Sequence, residues 1–197
     1  MSSRHQCGVG SCGSATGQLK QVRVVHSDRW IDVRAERVVT AKGDVLDPYY
    51  VLRYPDWVNV VAITPGNQLI LIRQYRHAAR AVGLELPCGN VEARDRNPQD
   101  AAIRELAEET GYSAPTFKLV ASLYANPATH TNKVHTFLAQ DATVSGPTLT
   151  EVGEELLLEL VPVSTVIAGL GSGLIAQSIH MAAIALSLLA FSGAGDA

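Results

Sequence analysis

The chain has 197 residues, with 16 basic and 19 acidic side chains and a formal net charge of −3 at pH 7. This length allows one domain with a sizeable core, and a hydrophobic content of 47% excludes a disordered or fibrous chain. The near-neutral charge gives no electrostatic reason to expect a nucleic-acid polymer as a partner. Three cysteines are too few for a disulfide scaffold.

The chain order predicts a tail, a strand region and a main domain. Residues 1–18 are rich in Gly and Ser and lack an apolar signal segment, so we expect a flexible tail there. A strand-rich region follows over 19–56, and the main domain is expected over 57–192. Alternating and β-branched residues predict strands near 21–26, 30–40, 48–54, 57–64, 68–76, 84–86, 117–124, 133–139 and 155–161.

Helices are predicted in the second half of the chain, over 98–110, 164–170 and 174–191. The last of these is long enough to reach across a bilayer. Gln177, Ser178, His180 and Ser187 interrupt it, however, and no basic cluster flanks it. We therefore expect a terminal helix that packs on a sheet, not a membrane span. Strands with helices beside them predict an α/β (α+β) fold around a mixed sheet.

The helix over 98–110 has clear boundaries. Asn97 can cap it, Pro98 suits its first position, and Gly111 is expected to end it. A period of 100° per residue places an apolar stripe on one side of the helix. The stripe consists of Ile103, Leu106, Ala107 and Thr110.

The same period places Glu105, Glu108 and Glu109 together, on the side opposite the apolar stripe. Like charges three and four residues apart weaken a helix by a few tenths of a kcal/mol each. Two interpretations stay open at this point. The glutamates form an ordinary acidic surface, or they bind a hard divalent cation such as Mg²⁺, which takes oxygen ligands.

Residues 85–112, ELPCGNVEARDRNPQDAAIRELAEETGY, resemble the Nudix box, G-x5-E-x7-R-E-U-x-E-E-x-G-U, in which U is a bulky apolar residue. Gly89 matches its first glycine. Asp95 stands where the family has Glu, and eight residues instead of seven separate it from the arginine. The extra residue lies before the helix, so the carboxylate face is expected to be undisturbed. The second half of the box matches through Arg104, Glu105, Leu106, Glu108, Glu109, Gly111 and Tyr112.

The sequence around the box is similar to the branch of Nudix hydrolases that acts on ADP-ribose and nucleoside diphosphate sugars. The shared features run from about residue 28 to 190, and they include RQYR (73–76), LELPCG (84–89), TN (131–132) and VHTFLA (134–139). The resemblance implies a Nudix-type α/β/α sandwich around a mixed β-sheet, with an N-terminal antiparallel β-hairpin region. It also implies a homodimer that exchanges its N-terminal strands.

The resemblance further implies Mg²⁺, with Mn²⁺ as a substitute, and hydrolysis of a pyrophosphate to a nucleoside monophosphate and a sugar phosphate. The implied metal ligands are Glu105, Glu109, Glu108 and the backbone carbonyl of Cys88, and Gly89 would let the backbone approach the metal. Glu108 is expected to act in catalysis as well, as a ligand or through a metal-bound water.

Other residues are implied to bind substrate or to activate water. Arg76 corresponds to an arginine that contacts phosphate, and Glu85 is either a charge at a strand edge or a residue near the metal. The general base is expected in the acidic segment 150–160, with Glu154 as the first choice and Glu151 behind it. Aromatic residues before the box could stack on the base, and the candidates are Trp30, Tyr49, Tyr50 and Trp57.

Alternative functions stay open within this resemblance. The substrate could be a GDP-sugar or a dinucleotide such as NADH, or the chain could be a nucleotide-binding sensor that has lost catalysis. The complete set of three glutamates favours an enzyme, because a binding module does not need all of them. We expect a cytoplasmic protein with a small nucleoside diphosphate as its ligand, without a nucleic-acid polymer or a membrane as partner.

Overall fold

The computed structural model describes residues 17–149 and 156–192. Most of the predicted tail, and Glu151 and Glu154 of the acidic segment, lie outside the described residues. The chain divides into two compact units. The first contains residues up to 54 together with 128–131, and the second contains 55–127 and the residues from 132 onward.

The first unit is an antiparallel sheet of three strands in the order β1-β2-β3. The strands are β1 (Gln18–Ser27), β2 (Asp32–Val39) and β3 (Val45–Arg53), which confirms the three strands predicted before residue 54. Segment 128–131 pairs with the end of β3, where the Leu52 N–H donates to the Thr129 carbonyl over 2.7 Å. All ten residues of β1 are exposed.

The second unit contains a mixed sheet in the order β7-β4-β10-β9 and an antiparallel sheet in the order β12-β5-β6. Its strands are β4 (Trp57–Ala62), β5 (Gln68–Arg76), β6 (Ala81–Glu85), β7 (Cys88–Asn90), β8 (Tyr112–Ser113), β9 (Thr116–Tyr124), β10 (Lys133–Gln140), β11 (Thr143–Val144) and β12 (Leu157–Pro162). Strands β4 and β10 are parallel, and β9 and β7 flank them in antiparallel orientation. Strands β8 and β11 form a separate short pair.

Helices cover both faces of this unit. They are α1 (Pro98–Thr110), α2 (Val163–Gly169) and α3 (Ser178–Ser192), with a 3₁₀ turn at Leu170–Ser172. Alternation along β4 sends Val58 and Val60 into a core cluster with α1, whereas Val61 joins a second cluster with α2 and α3. This arrangement confirms the α/β/α sandwich that the resemblance implies.

The boundaries of α1 agree with the prediction. The Asn97 side chain accepts hydrogen bonds from the backbone N–H groups of Gln99 and Asp100 over 2.9 and 3.1 Å. Gly111 ends the helix in the left-handed conformation, with φ of 71°. An asparagine cap and a glycine stop satisfy backbone groups that the helix ends leave without partners.

The predicted apolar stripe of α1 is wrong in its direction. Ile103 is 41% exposed, although it was expected on the buried face. The buried residues are Ala101, Ala102, Leu106 and Thr110. The helix face that packs on the sheet is therefore rotated toward the glutamates, relative to the predicted stripe. Small alanines face the sheet because they let the helix approach it closely. The glutamates therefore lie beside the core, not opposite it.

The C-terminal helix starts later than predicted, at Ser178, because Leu174–Gln177 are not helical. It packs on the sheet as expected, with His180, Ala183, Ile184 and Ser187 buried. Within the described residues, each helix is too short or too polar to cross a membrane. Another difference is β7, which is not among the predicted strands and pairs with β4.

The cap of α1 leads to a stability prediction. Asn97→Ala should lower the free energy of unfolding by about 1 kcal/mol, since two backbone donors lose their acceptor. Asn97→Ser should restore most of this loss, because serine caps a helix in the same way. Urea unfolding followed by circular dichroism measures both values. An equal loss in the two variants would contradict the capping role.

Candidate active site

The carboxylates of α1 lie against strand β7. A Cβ atom built on Gly89 would overlap the carboxylate of Glu105. Any side chain at position 89 would thus displace Glu105, and this is the physical reason for a glycine here. The backbone of β7 and the glutamates of α1 share one small space, where oxygen ligands are close together.

Glu109 is held by the backbone that precedes Gly89. The N–H group of Cys88 donates a hydrogen bond of 2.9 Å to Glu109 Oε2. Glu109 also lines two neighbouring cavities. The smaller cavity has a volume of about 150 Å³ and contains all three glutamates of α1 in its lining. The larger has a volume of about 430 Å³ and extends toward α3.

Arg104 neutralises the carboxylates of this site. Its guanidinium contacts Asp95 at 2.9 Å, Glu105 at 2.7 Å and Glu108 at 3.0 Å, and it also donates to the Asn90 carbonyl at 2.9 Å. Its side chain is 14% exposed. Arg104 therefore joins α1, β7 and the loop between them, and the pKa of its guanidinium is raised, first by the hydrogen bond to Asp95. It acts as an ion-pair partner in the site.

Asp95 pairs with Arg104 although it departs from the box pattern. Although eight residues separate Asp95 from Arg104, both oxygens of Asp95 accept hydrogen bonds from the guanidinium. Asp95 Oδ2 also accepts from the backbone N–H of Glu92 at 2.8 Å. These bonds, the one to Arg104 foremost, lower the pKa of Asp95. The extra residue is absorbed before the helix, as expected.

The three glutamates have different environments. Burial raises the pKa of Glu105, and the nearby charge of Glu108 adds to this effect, while Arg104 opposes it. The side chain of Glu105 is 12% exposed and that of Glu108 is 31% exposed. Carboxylates that are close together and partly buried repel one another. A nearby cation reduces this repulsion and stabilises their charged form. The donor set of carboxylate and backbone oxygens fits a hard divalent cation.

Arg76 and Glu85 form an ion pair at the edge of the larger cavity. Arg76 Nη2 lies 2.6 Å from Glu85 Oε2, and Nε lies 3.0 Å from Oε1. The carboxylate is buried, whereas the guanidinium is about half exposed and lines the cavity. Glu85 therefore holds Arg76 in position at the edge of this cavity.

A second group of potential metal ligands consists of Glu85, Cys88 and His180, whose ligand atoms lie within 4.8 Å of one another. This group does not fit a cation well. Arg76 already pairs with Glu85, and the backbone N–H of Leu86 donates to Nδ1 of His180 at 3.4 Å. Burial raises the pKa of the Cys88 thiol well above its usual value and lowers the pKa of His180 to about 4. Both groups are neutral near pH 7.

The structure brings most of the predicted site residues of the second unit together. Cys88, Gly89 and Glu109 line both cavities, and Arg76 lines the larger one. Trp30 and Tyr50 belong to the first unit, where they are 71% and 52% exposed.

Sequence reasoning missed several polar residues that line the larger cavity, among them Asn59, Gln177 and His180. Their sequence signal was weak. Asn59 interrupts an apolar strand, and the other two interrupt an apolar segment that was interpreted only as a helix. Trp57, one of the four aromatic candidates, lines the same cavity.

In this sandwich, carboxylates of α1 lie against the backbone of β7. A family model described as NUDIX domain matches residues 53–172, and the chain belongs to this family. Enzymes of the family generally use divalent metals. The matched range includes α1, β7 and the strands that carry Arg76 and Glu85.

Relatives of this chain include several hydrolases. The ADP-ribose pyrophosphatase of Bacillus subtilis (strain 168) is 31% identical over 120 residues, which are 61% of this chain and 64% of that protein. The methanol dehydrogenase activator of Bacillus methanolicus is 32% identical over 116 residues, 59% of this chain and 62% of its own length. The chain thus spans less than two thirds of the length of these two relatives.

Two further matches cover more of the chain. The CMP-5'-(N-acetyl-N-hydroxy-3-aminopropyl)phosphonate hydrolase of Streptomyces rubellomurinus (strain ATCC 31215) is 29% identical over 176 residues, 89% of this chain and 82% of that protein. A crystal structure of an ADP compounds hydrolase has a TM-score of 0.81 at 22% identity, and it covers 92% of this chain and 97% of its own. At this identity the structural match shows the fold alone.

The Arg104 network leads to a second prediction. Arg104→Gln should lower the free energy of unfolding by about 2–4 kcal/mol in EDTA, because it leaves partly buried carboxylates without their cation. Arg96→Gln is the matched control, since Arg96 pairs with Asp100 on the same helix but is 86% exposed. It should change the free energy of unfolding far less than Arg104→Gln does, because solvent screens an exposed pair. Equal losses in urea unfolding would show that Arg104 is an ordinary surface charge.

Proposed function

We propose that the protein is a Mg²⁺-dependent hydrolase of ADP-ribose or a related nucleoside diphosphate sugar, with a nucleoside monophosphate and a sugar phosphate as products. The observation that carries this proposal is the close approach of the Glu105 and Glu109 carboxylates to the backbone at Cys88 and Gly89. The name of the Bacillus subtilis relative supports the substrate class.

Glu105, Glu109 and the backbone carbonyl of Cys88 would hold the cation, and Glu108 would complete the group. Mn²⁺ could replace Mg²⁺, since both accept oxygen ligands. A bound divalent cation neutralises charge on the pyrophosphate and lowers the pKa of a bound water. The protein's own contribution is to fix the ligands, through the Cys88 N–H bond to Glu109 and the Arg104 bond to Glu105.

Arg76 would contact a phosphate of the substrate. Its guanidinium lines the larger cavity, and Glu85 orients it through two hydrogen bonds. A planar guanidinium can bind phosphate oxygens in pairs, and it stays charged at every relevant pH. Glu85 is therefore a positioning residue for Arg76 in this proposal.

The general base in this proposal is Glu154, with Glu151 as the second candidate. Both follow Leu149 closely in sequence, Glu151 by two residues and Glu154 by five. Leu149 lines the smaller cavity, and its backbone N–H donates to the Glu108 carbonyl at 2.7 Å. The chain thus enters the acidic segment beside the carboxylates of α1, which supports a base from this segment.

The proposal includes a homodimer formed through the first unit. Its sheet exposes apolar side chains, among them Leu19, Val24, Val45 and Tyr50, each at least 50% exposed. Exposed apolar patches of this kind mark interaction surfaces. Trp30 and Tyr50 would stack on the nucleotide base, as flat apolar side chains can. A small nucleotide substrate and the low cysteine content support a cytoplasmic location.

Hydrolysis can be tested by phosphate release from ADP-ribose coupled to a phosphatase. Turnover should require Mg²⁺ and stop in EDTA, and Glu109→Gln should reduce it by about 10³-fold, since charge stabilisation by a metal provides several kcal/mol. Glu159→Gln is the matched control, because this glutamate pairs with Arg73 across β5 and β12 and neither residue lines the two cavities. It should keep near-normal turnover. Absence of metal-dependent turnover on every nucleoside diphosphate tested would exclude the enzyme function and leave the sensor.

The position of the base has its own test. Glu154→Gln should lower kcat about 100-fold or more, which is the usual effect when a general base is lost. The same assay at saturating Mg²⁺ measures it, with Glu151→Gln in parallel. Near-normal turnover in both variants, together with loss of turnover in Glu109→Gln, would place the base elsewhere.

A further inference from the structure

Both carboxylate oxygens of Glu108 are paired with arginine side chains. Oε2 accepts a hydrogen bond from Nη1 of Arg104 at 3.0 Å, and Oε1 lies 3.5 Å from Nη2 of Arg94. A divalent cation that binds Glu108 repels both guanidinium groups, because all three are positively charged. The arginine that is held less firmly is therefore the one that moves when a cation binds.

The two arginines are held to very different degrees. The side chain of Arg104 is 14% exposed, and it also donates to Asp95, Glu105 and the Asn90 carbonyl. Its departure would leave partly buried carboxylates without their positive partner, which is costly. The side chain of Arg94 is 59% exposed, so water can solvate its charge as soon as it leaves a carboxylate. Arg94 is thus the arginine that can move.

Arg94 has a second partner that keeps it close to the site. Its Nε lies 2.8 Å from Oε2 of Glu92, which is two residues away in the same loop. Glu92 and Glu108 both belong to the lining of the smaller cavity. Arg94 therefore bridges two carboxylates of this lining, and it can release Glu108 while it keeps its contact with Glu92.

The bridge supplies one positive charge where the proposed cation would supply two. Glu105, Glu108 and Glu109 repel one another, and any positive group beside them reduces this repulsion. An arginine that already does so in the free protein removes part of the attraction that a cation would otherwise feel. The affinity of the site for a cation thus depends on how strongly Arg94 is held at Glu108.

We propose that Arg94 competes with the divalent cation for Glu108. In the free protein Arg94 pairs with Glu108, and it leaves this carboxylate when the cation binds. The competition lowers the affinity of the free protein for the cation. This inference rests on the proposed function, because it takes Glu108 to belong to the group that holds the metal.

Calorimetric titration of the free protein with Mn²⁺, in the absence of substrate, measures this competition without turnover. Arg94→Gln should strengthen Mn²⁺ binding about 5-fold, because a positive charge beside the carboxylates is removed. Arg96→Gln is the matched control, since it makes the same charge change two residues further along the loop. Arg96 pairs with Asp100 at 2.7 Å, and neither residue lines the smaller cavity. This control should alter the affinity by less than about 2-fold, because solvent screens exposed charges.

A double-mutant cycle separates competition at Glu108 from a general electrostatic effect. In a Glu108→Gln background, Glu105 and Glu109 remain as carboxylate ligands, but Arg94 no longer has a charged partner at position 108. Arg94→Gln should then change the Mn²⁺ affinity by less than about 2-fold, because the two substitutions act through one contact. Thermal unfolding gives a second readout. Mn²⁺ should raise the unfolding temperature of Arg94→Gln more than that of the wild type, since tighter binding stabilises the folded state more.

Three results would overturn the inference. The first is an equal Mn²⁺ affinity of the wild type and Arg94→Gln, including binding to neither. The second is an equal gain in Arg94→Gln and Arg96→Gln, which would indicate an effect of net charge alone. The third is a gain that persists in the Glu108→Gln background.

Failure of the proposed function is a separate result. It appears as absence of metal-dependent ADP-ribose hydrolysis by the wild type, whereas the Mn²⁺ affinities are measured without substrate. A wild type that hydrolyses ADP-ribose but shows no effect of Arg94→Gln on Mn²⁺ binding would contradict this inference alone.

Discussion

Repulsion among the three carboxylates of α1 is the constraint on which the site depends. Glu105, Glu108 and Glu109 would weaken the helix if their charges were left uncompensated. Arg104 contacts two of them and also holds Asp95, while the Cys88 N–H group binds the third. The capped ends of the helix and its packing on the sheet keep the carboxylates close in spite of their charge. A cation placed between the carboxylates would relieve the repulsion that remains.

The backbone of β7 completes the site because it approaches α1 closely. Strand β7 pairs with β4, and this pairing fixes Cys88 and Gly89 beside the carboxylates. A Cβ atom at position 89 would overlap the Glu105 carboxylate and displace it from the backbone of β7. The same strand lines both cavities, so the carboxylates of α1 and the cavity next to α3 adjoin each other. The pairing of β4 with β7 thus links the position of the carboxylates to the position of the larger cavity.

The candidate site was predictable where it depends on local sequence. The helix bounds, the cap at Asn97 and the grouping of three glutamates follow from the helical period and from cap chemistry, which act within a few residues. The ion pair of Arg76 with Glu85 joins two neighbouring antiparallel strands, and the resemblance of the sequence around the box indicated both residues. The prediction that Ile103 lies on the buried face of α1 was wrong. The small alanines pack closely on the sheet instead, and the helical period alone does not show which apolar residues face the sheet.

The sequence by itself determined which chemistry is available: carboxylates at helical spacing, a glycine before them and an arginine to balance their charge. Only the tertiary structure decided that Asn59 of β4 and Gln177 before α3, which are far apart in the chain, line one cavity beside these carboxylates. The physical reason is that a single polar residue in an apolar strand or helix carries no periodic signal. Its role depends on which surface the packing of sheet and helix leaves open, and that is a property of the folded chain as a whole.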